Sequence, residues 1–253
     1  MPNFDSIKNI VVDEYSTEPA QERYRKNTRA GLWKSETILF EKYLKPGSSV
    51  LDIGCGSGRT SFALAKMGYK VTAIDLTPAM IASAKQLGKE FDMDLDFRLG
   101  DATNLDFEKE SFDNAVFSFN GWDNIPGREN RLKSLQEVYR VLKPGGVYVL
   151  TSHVRKMGKY TPFWIAQWMK MYILKPFGYK VMEKEWGDRF FKQEQSGLKM
   201  KNKQFACIPS LKEIKYQIAK AGFTLEFYDY RNNISKEELT AGNCTFFICK
   251  KNG

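Results

Sequence analysis

Apolar residues recur at two different spacings along this chain. Residues 21–44 place Leu32, Trp33, Ile38, Leu39 and Leu44 in an apolar stripe that predicts one or two helices, ended by Pro46-Gly47. Ser49-Val-Leu-Asp-Ile53 is a short apolar run followed at once by glycines, as expected of a strand buried on both faces. Arg59 to Met67 returns to helical spacing, with Phe62, Ala63 and Leu64 inward, and stops near Gly68. A strand over Lys70 to Ile74 follows, then a helix opened by Thr77 as N-cap and Pro78 at its first position. The alternation continues with strands at Leu95–Leu99, Phe112–Phe119 and Val147–Thr151. An amphipathic helix over Arg128–Val141 stops at Lys143-Pro-Gly-Gly146. Near the end come a helix over Ser210–Ala221 and two strands, Thr224–Arg231 and Cys244–Lys250. Strands and helices in this order predict an α/β chain with a doubly wound parallel sheet.

Composition adds little to this until charge is located. At 253 residues, 42% hydrophobic and 27% charged, the chain has material for one large domain, or one domain with an insertion, without disulfides or metals. Neither a signal-peptide core nor a membrane-spanning run is present, so a cytoplasmic chain is expected. Cys55, Cys207, Cys244 and Cys249 form no CxxC, and Cys244 and Cys249 are expected to face opposite ways on one strand, which disfavours a shared zinc. The net charge of +9 is concentrated in residues 155–209, where twelve basic side chains meet four acidic ones. That excess suits an anionic partner, although solvated lysines give the same count.

The glycines after the first strand sit at 54, 56 and 58, a GxGxG with Asp52 upstream. Such a turn brings backbone N–H groups close to a ligand, but the spacing departs from the dinucleotide GxGxxG. Asp75 closes the second strand, where a carboxylate can accept from both hydroxyls of a ribose. Asp101 closes the third, where it can accept from an exocyclic amine. With Val50–Gly58, Val71–Asp75, Leu99–Ala102, Ser111-Phe-Asp113 and Leu142–Gly146 in this order, residues 48–152 resemble a class I, Rossmann-like S-adenosylmethionine (SAM)-dependent methyltransferase of the small-molecule type. The resemblance implies a seven-stranded sheet whose last strand runs antiparallel between the fifth and sixth, with SAM as cofactor and S-adenosylhomocysteine as product. It also implies that Asp52, Gly54, Cys55, Gly56 and Gly58 hold the amino-acid part of SAM, Asp75 the ribose, Asp101 the adenine amine, and Leu76 and Ala102 the adenine ring. Asn120 then lies near the methyl.

His153, the sole histidine, follows the fifth strand at the ligand edge of the sheet. It reads either as a general base or as a structural histidine. Asp123 reads either as an acceptor-orienting acid or as a surface turn residue. In the resembled family the acceptor site and its cover come from the segment before the first strand and the insertion after the fifth. Residues 1–45, 46–154, 155–209 and 210–253 are accordingly read as helical cap, SAM-binding core, lid and closing elements. The candidate acceptor contacts are Tyr15, Tyr24, Trp33, Trp122, Asp123, Trp164 and Trp168. Trp164, Trp168, Tyr172 and Lys175 recur at near-helical spacing, which predicts a core-facing helix first and a lid second. The expected function is methyl transfer to oxygen or nitrogen of a small, anionic metabolite by a monomer or homodimer. An RNA or protein methyltransferase and a non-catalytic SAM-binding protein stay open; nucleic acid is the less favoured partner, because no separate RNA-binding domain fits in the chain.

Overall fold

The computed structural model describes residues 4–191, 194–195, 198–199, 204–240 and 242–253. The chain opens with α1 (Phe4–Tyr15), α2 (Glu18–Ala30) and α3 (Lys34–Tyr43). The alternating part runs β1 (Ser49–Ile53), α4 (Arg59–Lys66), β2 (Lys70–Asp75), α5 (Pro78–Glu90), β3 (Asp96–Leu99), β4 (Phe112–Phe117), α6 (Arg128–Val141) and β5 (Leu142–Ser152). The insertion holds α7 (Thr161–Met169), β6 (Asp188–Phe191), β7 (Glu194–Gln195), β8 (Leu198–Lys199) and β9 (Gln204–Cys207). α8 (Leu211–Lys220), β10 (Phe223–Tyr230), α9 (Arg231–Ile234) and β11 (Thr245–Lys251) close the chain.

Seven strands form one sheet in the order β3-β2-β1-β4-β5-β11-β10. β11 is antiparallel to both β5 and β10, while β1 to β5 pair in parallel, as expected of a Rossmann-like sheet. Side chains alternate between the two faces of the strands, so two apolar layers form. Leu51, Ala115, Phe117 and Leu150 pack with Leu135 and Val138 of α6 and Ile214 and Ile218 of α8. Val50, Val116 and Val149 pack on the other face with Leu39 and Phe40 of α3, Phe62 of α4 and Leu87 of α5. Each such side chain, fully buried, contributes roughly 1.5–3 kcal/mol. Cys249 and Cys244 lie in opposite layers, and all four cysteines are free and buried.

Within the helical cap expected over residues 1–45, α1 lies ahead of the helices expected over 21–44; its Ile7 and Val11 pack on Phe205 and Cys207 of β9, joining the N-terminal segment to the insertion. Two expectations need correction. β5 begins at Leu142 rather than at Val147, so the Lys143-Pro-Gly-Gly146 motif lies within the strand. The register of β4 against β5 slips between Phe112 and Asn114, where a Cβ on Gly146 would come within 2.8 Å of two backbone oxygens. Lys143 Nζ donates to Asp113 Oδ1 at 2.8 Å, and Ser49 N and Oγ donate to Asp113 Oδ2. These bonds, the lysine's foremost, hold the Asp113 carboxyl down to about 2, so that it pins β1, β4 and β5 together. In the second case, the outward face of α7 is not the one its spacing predicts: Trp164, Gln167 and Met171 are buried, while Trp168 and Tyr172 are exposed.

Candidate functional site: two joined cavities at the carboxyl edge

β1 and β4 are neighbours whose chain connections leave in opposite directions, and a crevice opens at their carboxyl ends. It holds a cavity of about 410 Å³ lined by Gly54 and Gly56 of the loop, Asp75 and Leu76 after β2, Asp101 and Ala102 after β3, and Phe117 to Phe119. α1 roofs it with Phe4, Lys8, Val11 and Tyr15, and α2 contributes Tyr24. A second cavity of about 330 Å³ adjoins it, sharing Tyr15, Tyr24, Phe119 and Asn124. It adds Trp33, Asn120, His153 and Arg231, together with Arg23, Phe191 and residues 204–206.

The loop keeps its shape through glycine. Gly54, Gly56 and Gly58 all have positive φ, and a Cβ on Gly58 would stand 2.7 Å from the Phe62 ring. Asp75 Oδ2 accepts from Gly56 N at 2.9 Å and Oδ1 from Thr77 N at 2.8 Å, which ties the second strand end to the loop. Burial raises the Asp75 pKa against those two bonds. Asp52 is 1% exposed and lies behind the cavity wall, with Oδ2 accepting from Ser61 Oγ at 2.6 Å. Burial lifts its carboxyl to about 7. Cys55 and Gly58 also stand behind the wall, outside the lining set. At the start of α4, Arg59 makes two 2.6 Å bonds to the fully buried Glu36, whose Oε2 also accepts from Trp33 N at 2.8 Å. A cation at a helix N-terminus is otherwise unfavourable, and Glu36 offsets it while clamping α3 to α4.

Asp101 has a partner that sequence reasoning missed. Lys8 of α1 donates to its Oδ2 at 2.6 Å, and Thr103 N and Oγ1 donate to Oδ1. Burial pulls this carboxyl up, but Lys8 and Thr103 outweigh it and hold it below the usual range. The ion pair latches the roof helix to the floor of the cavity.

His153 lines the second cavity, beside Asn120. Asp123 Oδ2 accepts from His153 Nδ1 at 2.6 Å and from His153 N at 2.8 Å, while Oδ1 accepts from Ser152 Oγ. Asp123 is 1% exposed, so of its two readings the surface turn is excluded. The short helix Gly121–Asn124 tucks it beneath β5. With Nδ1–H bound to Asp123, the lone pair of the neutral imidazole lies on Nε2, 3.3 Å from Asn120 Nδ2. Burial alone would lower the His153 pKa; the hydrogen bond and charge of Asp123 outweigh it and raise the pKa above the ordinary value. Phe119 and Asn120 both adopt left-handed φ, near 58° and 59°, and Thr151 Oγ1 accepts from Asn120 N at 2.8 Å. Strained backbone of this kind marks functional turns.

The aromatic candidates divide. Tyr15, Tyr24 and Trp33 line the second cavity and pack edge-on or tilted against one another and Phe119. Burial first, and the tyrosines' mutual proximity for Tyr15, raises both phenol pKa values, so both are neutral hydroxyls. Trp122, by contrast, is fully buried below the site, its indole N–H donating to Ser134 Oγ at 3.1 Å and contacting the Arg131 carbonyl. Its expected contact with the acceptor is corrected: the turn that lifts Asn120 into the cavity sends Trp122 into the core. Trp164 and Trp168 line neither cavity; Trp164 is buried within the insertion with its N–H on Lys156 O, and Trp168 faces outward. The insertion reaches the site through its β6–β9 hairpin instead, by Phe191 and Gln204 to Ala206.

The glycine loop, the strand-end acids and the roofed crevice together define a nucleotide-cofactor enzyme fold of the Rossmann-like kind. Residues 50–146 match the family described as "Methyltransferase domain". A demethylmenaquinone methyltransferase of Paenarthrobacter aurescens is 42% identical over 107 residues, 42% of this chain and 39% of that protein. A ubiquinone biosynthesis O-methyltransferase of Xanthomonas campestris is 34% identical over 107 residues, 42% of this chain and 44% of that protein. The chain thus matches about two fifths of the length of these curated relatives. A SAM-dependent methyltransferase from Methanosarcina mazei superimposes with a TM-score of 0.66 at 25% identity, covering 88% of this chain and 99% of its own. Residues 50–146 thus match a methyltransferase domain, and the chain is similar in fold to a SAM-dependent methyltransferase, a class whose cofactor is SAM.

The residues present fit that cofactor. Ser118 Oγ, in the first cavity wall, and Asn120 Oδ1, in the second, are buried without hydrogen-bond partners, as expected of atoms that meet a polar ligand. Among the described residues, no helix is long and apolar enough to cross a membrane.

Proposed function

We propose that the protein transfers the methyl group of SAM to an oxygen of a small aromatic hydroxyl compound, with His153 as general base. The observation that carries this reading is the Asp123–His153 pair, 2.6 Å apart, with the imidazole on the wall of the second cavity. A base is useful only when the acceptor loses a proton, and a hydroxyl must lose one on methylation.

In this reading Asp75 holds the ribose of the cofactor, Asp101 the adenine amine, Leu76 and Ala102 the adenine ring, and Gly54 and Gly56 the amino-acid part. Asp52 and Ser61 brace the loop from behind. When bound, SAM supplies an electrophilic sulfonium methyl and leaves as S-adenosylhomocysteine. Asn120 orients the reacting groups, and His153 Nε2 takes the acceptor's proton while Asp123 stabilises the imidazolium that results. Tyr15, Tyr24, Trp33 and Phe119 supply aromatic walls for a ring, and Arg23 and Arg231, the latter paired with Glu238 at 2.7 Å, lie on the same cavity. The relatives' names, one an O-methyltransferase and both concerned with quinones, agree with such an acceptor. Four free, buried cysteines agree with a cytoplasmic setting.

The test pairs labelled SAM with a panel of hydroxylated aromatics and compares wild type with His153→Gln. Turnover is expected to fall by roughly 10²–10⁴-fold while SAM affinity by calorimetry stays unchanged. Wild-type turnover in the variant at every pH overturns the assignment.

A further inference from the structure

The insertion turns outward a face that its composition would send inward. α7 and the turns that continue it to Phe177 bury Trp164, Gln167 and Met171. That inner set carries a glutamine, whose Nε2 donates to Asp188 O at 2.6 Å. Phe163, Ile165, Trp168, Tyr172, Ile173 and Phe177 stand outside, with exposures from 41% to 83%. Single exposed apolar residues are ordinary, whereas a run of them on one short helical stretch marks an interaction surface.

Charge identifies what covers it. Residues 155–182 contain six basic side chains and no acidic one. Arg155 stacks on Trp186 at 3.7 Å, Lys156 lies over Tyr230 at 4.1 Å, and Lys170 meets Glu183 at 3.2 Å. Lys159, Lys175 and Lys180 form no ion pair among the described residues. We propose that this face rests on the surface of an anionic lipid bilayer, with its aromatic and aliphatic side chains in the headgroup–acyl boundary and its lysines among the headgroups. Trp and Tyr suit that boundary, since each has an apolar body and a polar tip. A second copy is the poorer occupant, because pairing two such faces opposes like charges with no acid between them. The contact is a resting one, as no described helix can span.

The placement bears on the site. Trp186 Nε1 donates to Trp164 O at 3.2 Å, and Gln167 binds the first residue of β6, so α7 is braced on the hairpin that walls the second cavity. Docking through α7 therefore bears on the hairpin that walls that cavity, and so on the cavity to which the proposed acceptor binds. This consequence rests on the methyl-transfer reading; the docking does not, and is measured without turnover.

The test sediments the full chain with vesicles of phosphatidylcholine alone or mixed with phosphatidylglycerol. Binding to the anionic vesicles is expected to be tighter by at least about tenfold and to weaken with salt. Trp168→Ser combined with Phe177→Ser, both at exposed positions, is expected to weaken it by about tenfold or more, with SAM affinity unchanged as the check on folding. Equal binding to both vesicles, binding to neither, or undiminished binding by the double variant overturns the proposal. So does a dimer in sedimentation velocity that the same two substitutions dissolve, which would assign the face to a second copy.

Discussion

Replacing Asp52 by asparagine will stabilise the folded protein at neutral and alkaline pH. The carboxyl is 1% exposed, and burial, opposed by the Ser61 hydrogen bond and Arg59 and aided by Glu36, lifts its pKa to about 7. In the unfolded chain it titrates near 3.9, so ionising it inside costs on the order of 4 kcal/mol. Between about pH 4 and pH 7 the folded state keeps a proton that the unfolded state has released. Stability therefore falls as pH rises through that window and levels off above it. Asparagine has the same shape, still accepts from Ser61 Oγ, and never ionises. Urea unfolding of both proteins at about pH 5, 6, 7 and 8 should show the variant gaining on wild type by about 3 kcal/mol between pH 5 and pH 8. His153 titrates in both proteins and cancels, while Asp113, held to about 2, contributes below the window. A difference between variant and wild type that is constant over this range refutes the reasoning.

Two further predictions concern the site and its roof. Asp123→Asn removes the charge that raises the His153 pKa, leaving burial to lower it. The rise of kcat/KM with pH, which follows the neutral imidazole, should then begin at lower pH, with kcat reduced by roughly 10²–10⁴-fold; an unmoved inflection removes Asp123 from this role. Lys8→Met opens a pair whose side chains are 36% and 29% exposed, so Tm should move by no more than about 2–4 °C. Stopped-flow SAM exchange should quicken, because α1 roofs the cavity, and unchanged exchange rates show that the roof does not gate entry.

What the sequence disclosed and what it hid divide by sequence distance. Buried parallel strands are apolar runs ended by glycine or an acid, so β1, β2 and the loop at Gly54 to Gly58 were readable, with Asp75 closing β2 and Asp101 following β3. α1 escaped because its apolar stripe is short: Phe4, Ile7, Val11 and Tyr15 carry helical spacing, but only Ile7 and Val11 of these are buried, and polar and acidic neighbours dilute the pattern. The Lys8–Asp101 pair joins residues 93 apart, and nothing local signals it. Asp123 was ambiguous for a related reason. An acid after Gly-Trp reads as a turn, and only a helical turn too short to have a period carries it under β5 to His153.

The insertion shows where period alone fails. Trp164, Trp168 and Tyr172 and the alternative set Trp164, Gln167 and Met171 both satisfy helical spacing, and hydrophobicity favours the first. The fold chooses the second, because Gln167 reaches the backbone of Asp188 and oxygen Oε1 takes the Gly187 N–H at 3.3 Å. Those bonds satisfy backbone groups of the β6 turn that have no strand partner there, and a tryptophan in that place could not accept. The helix is thus rotated by the hydrogen-bonding needs of the hairpin that walls the second cavity. Its apolar stripe is left facing out, and the surface that looks like a misplaced core follows from the construction of the site itself.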